Sequence, residues 1–132
     1  LSHRRARTVC EARRRFDLLP DEVFPGDPFS QAAWETHDIL KASPHVSEVI
    51  VLPDPRTSRI TSEDFVASYV NYYVCNGAVI AAQFGDRTTD EIAEKTLRAL
   101  YHDRQIIMMN VDPIGEVGSG IHCATQQQPV VV

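Results

Sequence analysis

The stretch Gly118-Ser119-Gly120-Ile121-His122-Cys123-Ala124-Thr125-Gln126-Gln127-Gln128-Pro129 carries the densest chemistry of the chain. Two glycines let the backbone bend sharply and approach a ligand closely, because neither has a Cβ. Cys123 lies three residues beyond the second of them, and a hydroxyl and three amides follow it. A thiol just past a glycine turn, at the end of an expected strand, is where a nucleophile can be presented to a pocket. The competing reading is that Cys123 fills space, since cysteine is among the most buried residue types and reacts only where its surroundings activate it. His122 reads as structural. In an extended segment adjacent side chains point to opposite faces, so His122 would be badly placed to deprotonate Cys123.

With these residues in view, the segment resembles the active-site segment of agmatine deiminases, in the bacterial and plant-type peptidylarginine deiminase family. A second stretch resembles the same family in the same order: Ser68-Tyr69-Val70-Asn71-Tyr72-Tyr73, then Asn76-Gly77-Ala78-Val79-Ile80 and Gln83-Phe84-Gly85-Asp86. Weaker similarity runs back through Val49-Ile50-Val51-Leu52-Pro53-Asp54-Pro55 to Phe24. Two long motifs in order are far more specific than one short pattern. The resemblance implies an α/β fold, part of a pentein-like α/β propeller in which ββαβ units surround a central active site. The chain would supply about one to one and a half units, as the C-terminal part of such a domain.

The resemblance also implies the chemistry. Cys123 would be the nucleophile, and Gly118 and Gly120 would shape the substrate loop. Agmatine would be hydrolysed to N-carbamoylputrescine and ammonia, through a covalent amidino-cysteine, in putrescine synthesis. No cofactor and no metal are implied. Two carboxylates should hold the guanidinium by paired charge-assisted hydrogen bonds. A histidine should protonate the leaving ammonia and then activate water. The family carries that histidine and a carboxylate in a Gly-His-x-Asp-Asn-like motif, and His3, His37, His45, His102 and His122 all have other surroundings. Val117 and Ser119 stand where the family often has glycine. Asp112 and Glu116 are near Cys123 in sequence, with no physical reason to make either a guanidinium clamp. Three readings follow: an agmatine deiminase, a catalytically incomplete remnant or assembling portion of one, and a relative acting on peptidyl or free arginine.

Composition bounds these readings. A length of 132 residues suits one modest domain with a real core. No apolar run approaches the roughly 18 residues of a membrane span, so no membrane partner is expected. A net charge of −5 argues against a general nucleic-acid binder. Three cysteines do not suggest a disulfide framework, and a reducing cytoplasmic setting is the default.

The first sixteen residues differ from the rest. They hold six arginines (Arg4, Arg5, Arg7, Arg13, Arg14, Arg15) against Glu11, leaving residues 17–132 with seven basic and seventeen acidic groups, a net of −10. Such a break marks a separate segment. It reads as an incomplete or misjoined chain start rather than an Arg-rich targeting signal. Cys10 lies within it and has no assigned role.

The elements that must position the cysteine follow from pattern. Phe24 to Pro28 is turn-rich, and Ser30 reads as the N-cap of a helix. Ala33, Trp34, His37 and Leu40 recur on that helix at helical spacing, which makes Trp34 core, while His37 reads as a surface residue. Lys41 to Pro44 ends it. Val46 to Leu52 reads as a strand, and Arg56 to Asp64 as a solvated loop. Tyr69 to Val74 and Ala78 to Gln83 flank Asn76-Gly77, a hairpin signal with a type I′ turn. Asn71, within the first of these strands, carries an amide that could reach a pocket, although satisfying a buried backbone group is the favoured reading; Cys75 reads as a core filler at the strand end. Thr88 with Glu91 reads as a capping box, opening a helix whose buried stripe is Ile92, Ala93, Leu97 and Leu100. Gln105 to Val111 is a short apolar strand. A single unit cannot bury all its faces, so exposed apolar edges are expected, with self-association or pairing with an upstream portion.

Overall fold

The computed structural model describes residues 14–18 and 28–129. In chain order the elements are β1 (Arg14–Leu18), α1 (Pro28–Ala42), β2 (Glu48–Leu52), β3 (Tyr73–Cys75), β4 (Ala78–Ala82), α2 (Arg87–Leu100), β5 (Gln105–Met109) and α3 (Asp112–Gly115). β1 and β2 pair in parallel, with α1 as the crossover that a parallel pair requires. β3 and β4 form an antiparallel hairpin, and β4 pairs in parallel with β5 across α2. The order β3-β4-α2-β5 is the ββαβ arrangement read from the sequence. The compositional break drawn at residue 16 falls inside β1. Cys10 and residues 24–27 lie outside the described residues.

Helix α1 starts at Pro28, so Ser30 sits within its first turn and is not the cap. Proline suits that start because its fixed φ is already helical and its missing N–H is not needed there. Ala33, Trp34, His37 and Leu40 are half-buried while Gln31, Glu35, Asp38 and Lys41 are exposed, as the helical period demands. His37 therefore belongs to the inward stripe, not the surface: its side chain is only 13% exposed and meets Trp34 edge-on at 5.5 Å.

The hairpin is where expected, with Cys75 opposite Ala78, but its turn differs. Gly77 has φ +77° and Asn76 is not in the positive-φ region, which is the sign pattern of type II rather than I′. The first strand begins at Tyr73, not Tyr69. Asn71 N–H donates to the Ser68 carbonyl (3.3 Å), so residues 68–71 form a turn. This turn sends Tyr69 and Tyr72, both fully buried, into two different clusters. Cys75 is half-buried at the strand end rather than in the core.

One cluster joins Leu52, Tyr69, Ala82, Phe84, Ala93, Val111 and Ile121. The other joins Tyr72, Val74, Val79, Ala81, Leu97 and Ile106. Helix α2 contributes to both through Ala93 and Leu97. Its inward stripe is Thr89-Ala93-Leu97; Ile92 is 42% exposed and lies off it. The threonine is tolerated there because its hydroxyl meets Tyr69 Oη at 2.8 Å. Tyr69 O–H in turn donates to Asp90 Oδ1 (2.8 Å), and burial pushes its pKa up. On β5 the buried Ile106 alternates with exposed Ile107, and Met109 is exposed too, so the sheet face turned away from α2 shows apolar side chains.

The cap of α2 is Asp86, two residues before the expected Thr88. Its Oδ1 accepts from the N–H groups of Thr88 (3.1 Å) and Thr89 (3.3 Å). Its Oδ2 accepts from Arg56 N (2.9 Å) and Thr57 N (3.4 Å), so one carboxylate ties the helix start to a loop some thirty residues away. Burial alone would raise its pKa, but these backbone donors outweigh it and hold the carboxyl below its usual range. Asp86→Ala should lower stability by about 1–2 kcal/mol, the range for a lost N-cap, whereas Thr88→Ala should be near neutral. Urea unfolding of both variants checks this; equal losses would return the cap to Thr88. No helix among the described residues is long and apolar enough to cross a membrane.

Candidate active site

The approach to Cys123 begins where β5 ends. Asn110 Oδ1 accepts from Asp112 N–H (2.8 Å), which starts the one-turn helix α3. Gly115 then lies against Phe65, whose ring fills the place a Cβ would take, and its carbonyl accepts from Val66 N–H (3.2 Å). Gly118 and Gly120 are both needed, for opposite reasons. Gly118 has φ +72° in nearly open space, so the constraint is conformational. Gly120 has no positive φ, but a Cβ there would land on the Asn71 carboxamide, so the constraint is steric. Val117 and Ser119 also lack positive φ, which is why the absence of glycine at those positions leaves the turn intact.

Residues 121–124 coil into a turn rather than extending. Ala124 N–H donates to Gly120 O (3.0 Å), Thr125 N–H to His122 O (3.2 Å), and the Thr125 hydroxyl to Ile121 O (2.9 Å). Cys123 is therefore on a turn after a short helix, not at a strand end. Ile121 is buried in the first cluster and anchors the turn, and Cys123 faces outward, exposed. The argument from opposite strand faces no longer bears on His122, yet its imidazole is exposed and has no hydrogen bond among the described residues. Its backbone is what the fold uses.

That backbone is held by Asn71. Asn71 Oδ1 accepts from His122 N–H (2.8 Å) and Cys123 N–H (3.2 Å). Two N–H donors on one face of the carboxamide leave its NH2 group on the other, and Nδ2 lies 3.1 Å from Cys123 Sγ. Asn71 thus satisfies backbone groups, as expected, and also addresses the thiol.

A second pair underlies the same segment. Arg59 forks onto Asp112, with Nε to Oδ2 at 2.7 Å and Nη2 to Oδ1 at 2.9 Å, and also reaches the Gln83 carbonyl. Residues 56–64 form a mostly exposed loop, as read from the sequence, but Arg59 pins it to the start of α3, and Asp112 already holds a guanidinium of the chain itself. The Arg59 hydrogen bond keeps the Asp112 carboxyl below its ordinary range despite burial, and the same bond raises the Arg59 pKa. The sequence offered no sign of this pair, because its members are 53 residues apart. A carboxylate with a depressed folded pKa contributes stability above the ordinary carboxylate range and loses it as pH falls through the folded value. Arg59→Ala should thus lower Tm clearly at pH 7, with the gap to the parent closing below about pH 4. Thermal unfolding across pH checks this, and a gap that persists undiminished at low pH would remove the Asp112 contribution. Among the described residues no three His, Cys, Asp or Glu side chains gather as metal ligands.

The arrangement is a mixed α/β scaffold that displays an exposed thiol on a clasped, glycine-dependent turn. The chain belongs to the Porphyromonas-type peptidyl-arginine deiminase family, whose model matches residues 20–129. A "Putative agmatine deiminase" of Streptomyces coelicolor is 40% identical over 83 residues, covering 62% of this chain and 24% of that protein. The agmatine deiminase of Medicago truncatula is 37% identical over 81 residues, covering 59% of this chain and 21% of its own length. Among solved structures, the agmatine deiminase of Enterococcus faecalis superposes with a TM-score of 0.67 at 26% identity, over 85% of this chain and 36% of that one. The chain thus spans about a quarter of the curated relatives and about a third of the solved structures that it matches.

Proposed function

We propose that the protein to which this chain belongs is an agmatine deiminase, with Cys123 as its nucleophile. The observation that carries the reading is the outward Cys123 Sγ with an amide donor 3.1 Å away, in a chain whose relatives are agmatine deiminases. The thiolate attacks the guanidinium carbon and a C–S bond forms. The tetrahedral adduct then expels ammonia, breaking a terminal C–N bond, with a proton from a general acid. Water next attacks the amidino-cysteine carbon, the C–S bond breaks, and N-carbamoylputrescine leaves as the thiolate is restored. Gly118 and Gly120 shape the loop beside the substrate.

The general acid and the carboxylates that clamp the guanidinium lie in other parts of the family's domain on this reading. Residues 17–132 form its C-terminal part, a portion of an α/β propeller. The exposed Val51, Ile107 and Met109 then meet neighbouring units, or a second copy, rather than water. A second reading, a catalytically incomplete relative, is favoured by the exposed His122 and by an Asp112 already taken by Arg59.

The test is release of ammonia and N-carbamoylputrescine from agmatine, by the 132-residue chain alone and mixed with the missing portion of a relative's domain, each beside Cys123→Ser. Turnover that vanishes in the variant supports the deiminase. Silence in both preparations favours the incomplete relative. Turnover that survives Cys123→Ser removes Cys123 as nucleophile.

A further inference from the structure

We infer that Asn71 is a positioning residue for Cys123, a single carboxamide that both shapes the turn and aims a donor at the sulfur. The inference rests on the reading of Cys123 as the reacting group, but its geometry stands independently. Three contacts converge on one side chain: two backbone N–H groups on Oδ1 and the sulfur on Nδ2. They come from consecutive residues of one turn, so the carboxamide cannot rotate without breaking all three. Flipping it would put Nδ2 against two N–H donors, which fixes the assignment of oxygen and nitrogen.

Asn71 is itself held. Its N–H is engaged by the Ser68 carbonyl, and it lies between Tyr69 and Tyr72, each fully buried in a different cluster. The opposite wall of the clasp is Gly120, whose missing Cβ is the space the carboxamide occupies. A purely structural asparagine would need its oxygen on the turn and nothing more. Here the remaining donor is spent on the one exposed thiol of the described residues. The N–H directed at sulfur is a donor, and the attacking thiolate only accepts, so the carboxamide can orient the nucleophile. His122 is the titratable neighbour in the same turn, and it makes no hydrogen bond to the sulfur among the described residues.

The test reads the thiol directly and needs no substrate. Iodoacetamide alkylation of Cys123 is followed by peptide mapping across pH in the 132-residue chain, in Asn71→Asp, and in Asn71→Ala. Asn71→Asp keeps the oxygen for the two N–H groups but replaces the donor at sulfur by an acceptor. It should slow alkylation at neutral pH by roughly tenfold or more and move the pH midpoint upward, with circular dichroism unchanged. Asn71→Ala should lose the turn as well, and its segment 118–128 should become open to proteolysis. An Asn71→Asp chain that is folded and matches the parent in rate and midpoint overturns the inference. If Asn71→Asp fails to fold, Asn71→Ser, which keeps one small acceptor and no amide donor, is judged by the same comparison. Because alkylation needs no general acid, a chain inert toward agmatine still decides the role of Asn71, and the two readings fail separately.

Discussion

Gly120→Ala should reduce agmatine turnover by about a hundredfold or more in a protein that carries the complete active site, a loss of activity out of proportion to its cost in stability. The three atoms nearest the added methyl group all belong to the Asn71 carboxamide. The carboxamide must then move, and with it go its bonds to His122 N, Cys123 N and Cys123 Sγ. A displacement of about 1 Å at a reacting group is enough for a hundredfold loss. Gly118→Ala supplies the contrast. Its Cβ would meet almost nothing, so the penalty there is the strain of φ +72°, of order 1 kcal/mol, and it should appear chiefly as lower stability. Steady-state kinetics and thermal unfolding of the two variants side by side check the pair. A Gly120→Ala enzyme of parental activity would sink the steric argument.

Leu97→Ala should be the most damaging of the single core truncations considered. Leu97 is fully buried, in the cluster with Tyr72, Val74, Val79, Ala81 and Ile106 that joins α2 to the sheet. A buried Leu→Ala change costs about 2–5 kcal/mol, through lost transfer energy and the cavity left behind. A small domain has roughly 5–15 kcal/mol in total, so the variant should populate unfolded chain at modest temperature. Ile92→Ala, on the same helix but 42% exposed, should change stability by no more than about 0.5 kcal/mol. Denaturant midpoints for the two measure the difference, and equal midpoints would put Ile92 in the core.

That pair shows where sequence reasoning reaches and where it stops. Helical periodicity identifies α2 and its inward Ala93 and Leu97, because burial of one face at each successive turn is a local property. It also admits Ile92, since a stripe drawn from apolar residues alone cannot anticipate that Thr89 takes the inner position. Thr89 is acceptable there only because Tyr69, twenty residues earlier, supplies a hydroxyl. The capping error has the same origin: Thr88 with Glu91 fits a local pattern, and Asp86 wins because it satisfies donors of a distant loop as well. The strand order and the hairpin position are legible because they rest on short runs and a turn dipeptide. The turn type is not, since Asn76 is permissive and accepts either sign of φ.

The site divides in the same way. Cys123 and its glycines stand out by composition and by resemblance. Asn71 and the Arg59–Asp112 pair do not, because nothing within several residues of any of them marks its partner. The placement of His122 is hidden for a related reason: the turn at 121–124 is imposed by Asn71 and Thr125, and a tetrapeptide read alone as extended gives no hint of it.

The separation of the partners has a kinetic consequence. Asn71 and Cys123 are 52 residues apart, and Arg59 and Asp112 are 53. The hairpin at Gly77 and helix α2 close short loops, and loop closure sets much of the entropic barrier to folding. The turn bearing Cys123 should therefore be among the last parts to assemble, after the sheet on which it rests. Bonds made after the rate-limiting step leave the folding rate untouched and act on the reverse one. Loosening the Asn71 clasp should thus appear as faster escape from the native state, with the chain reaching that state as quickly as before.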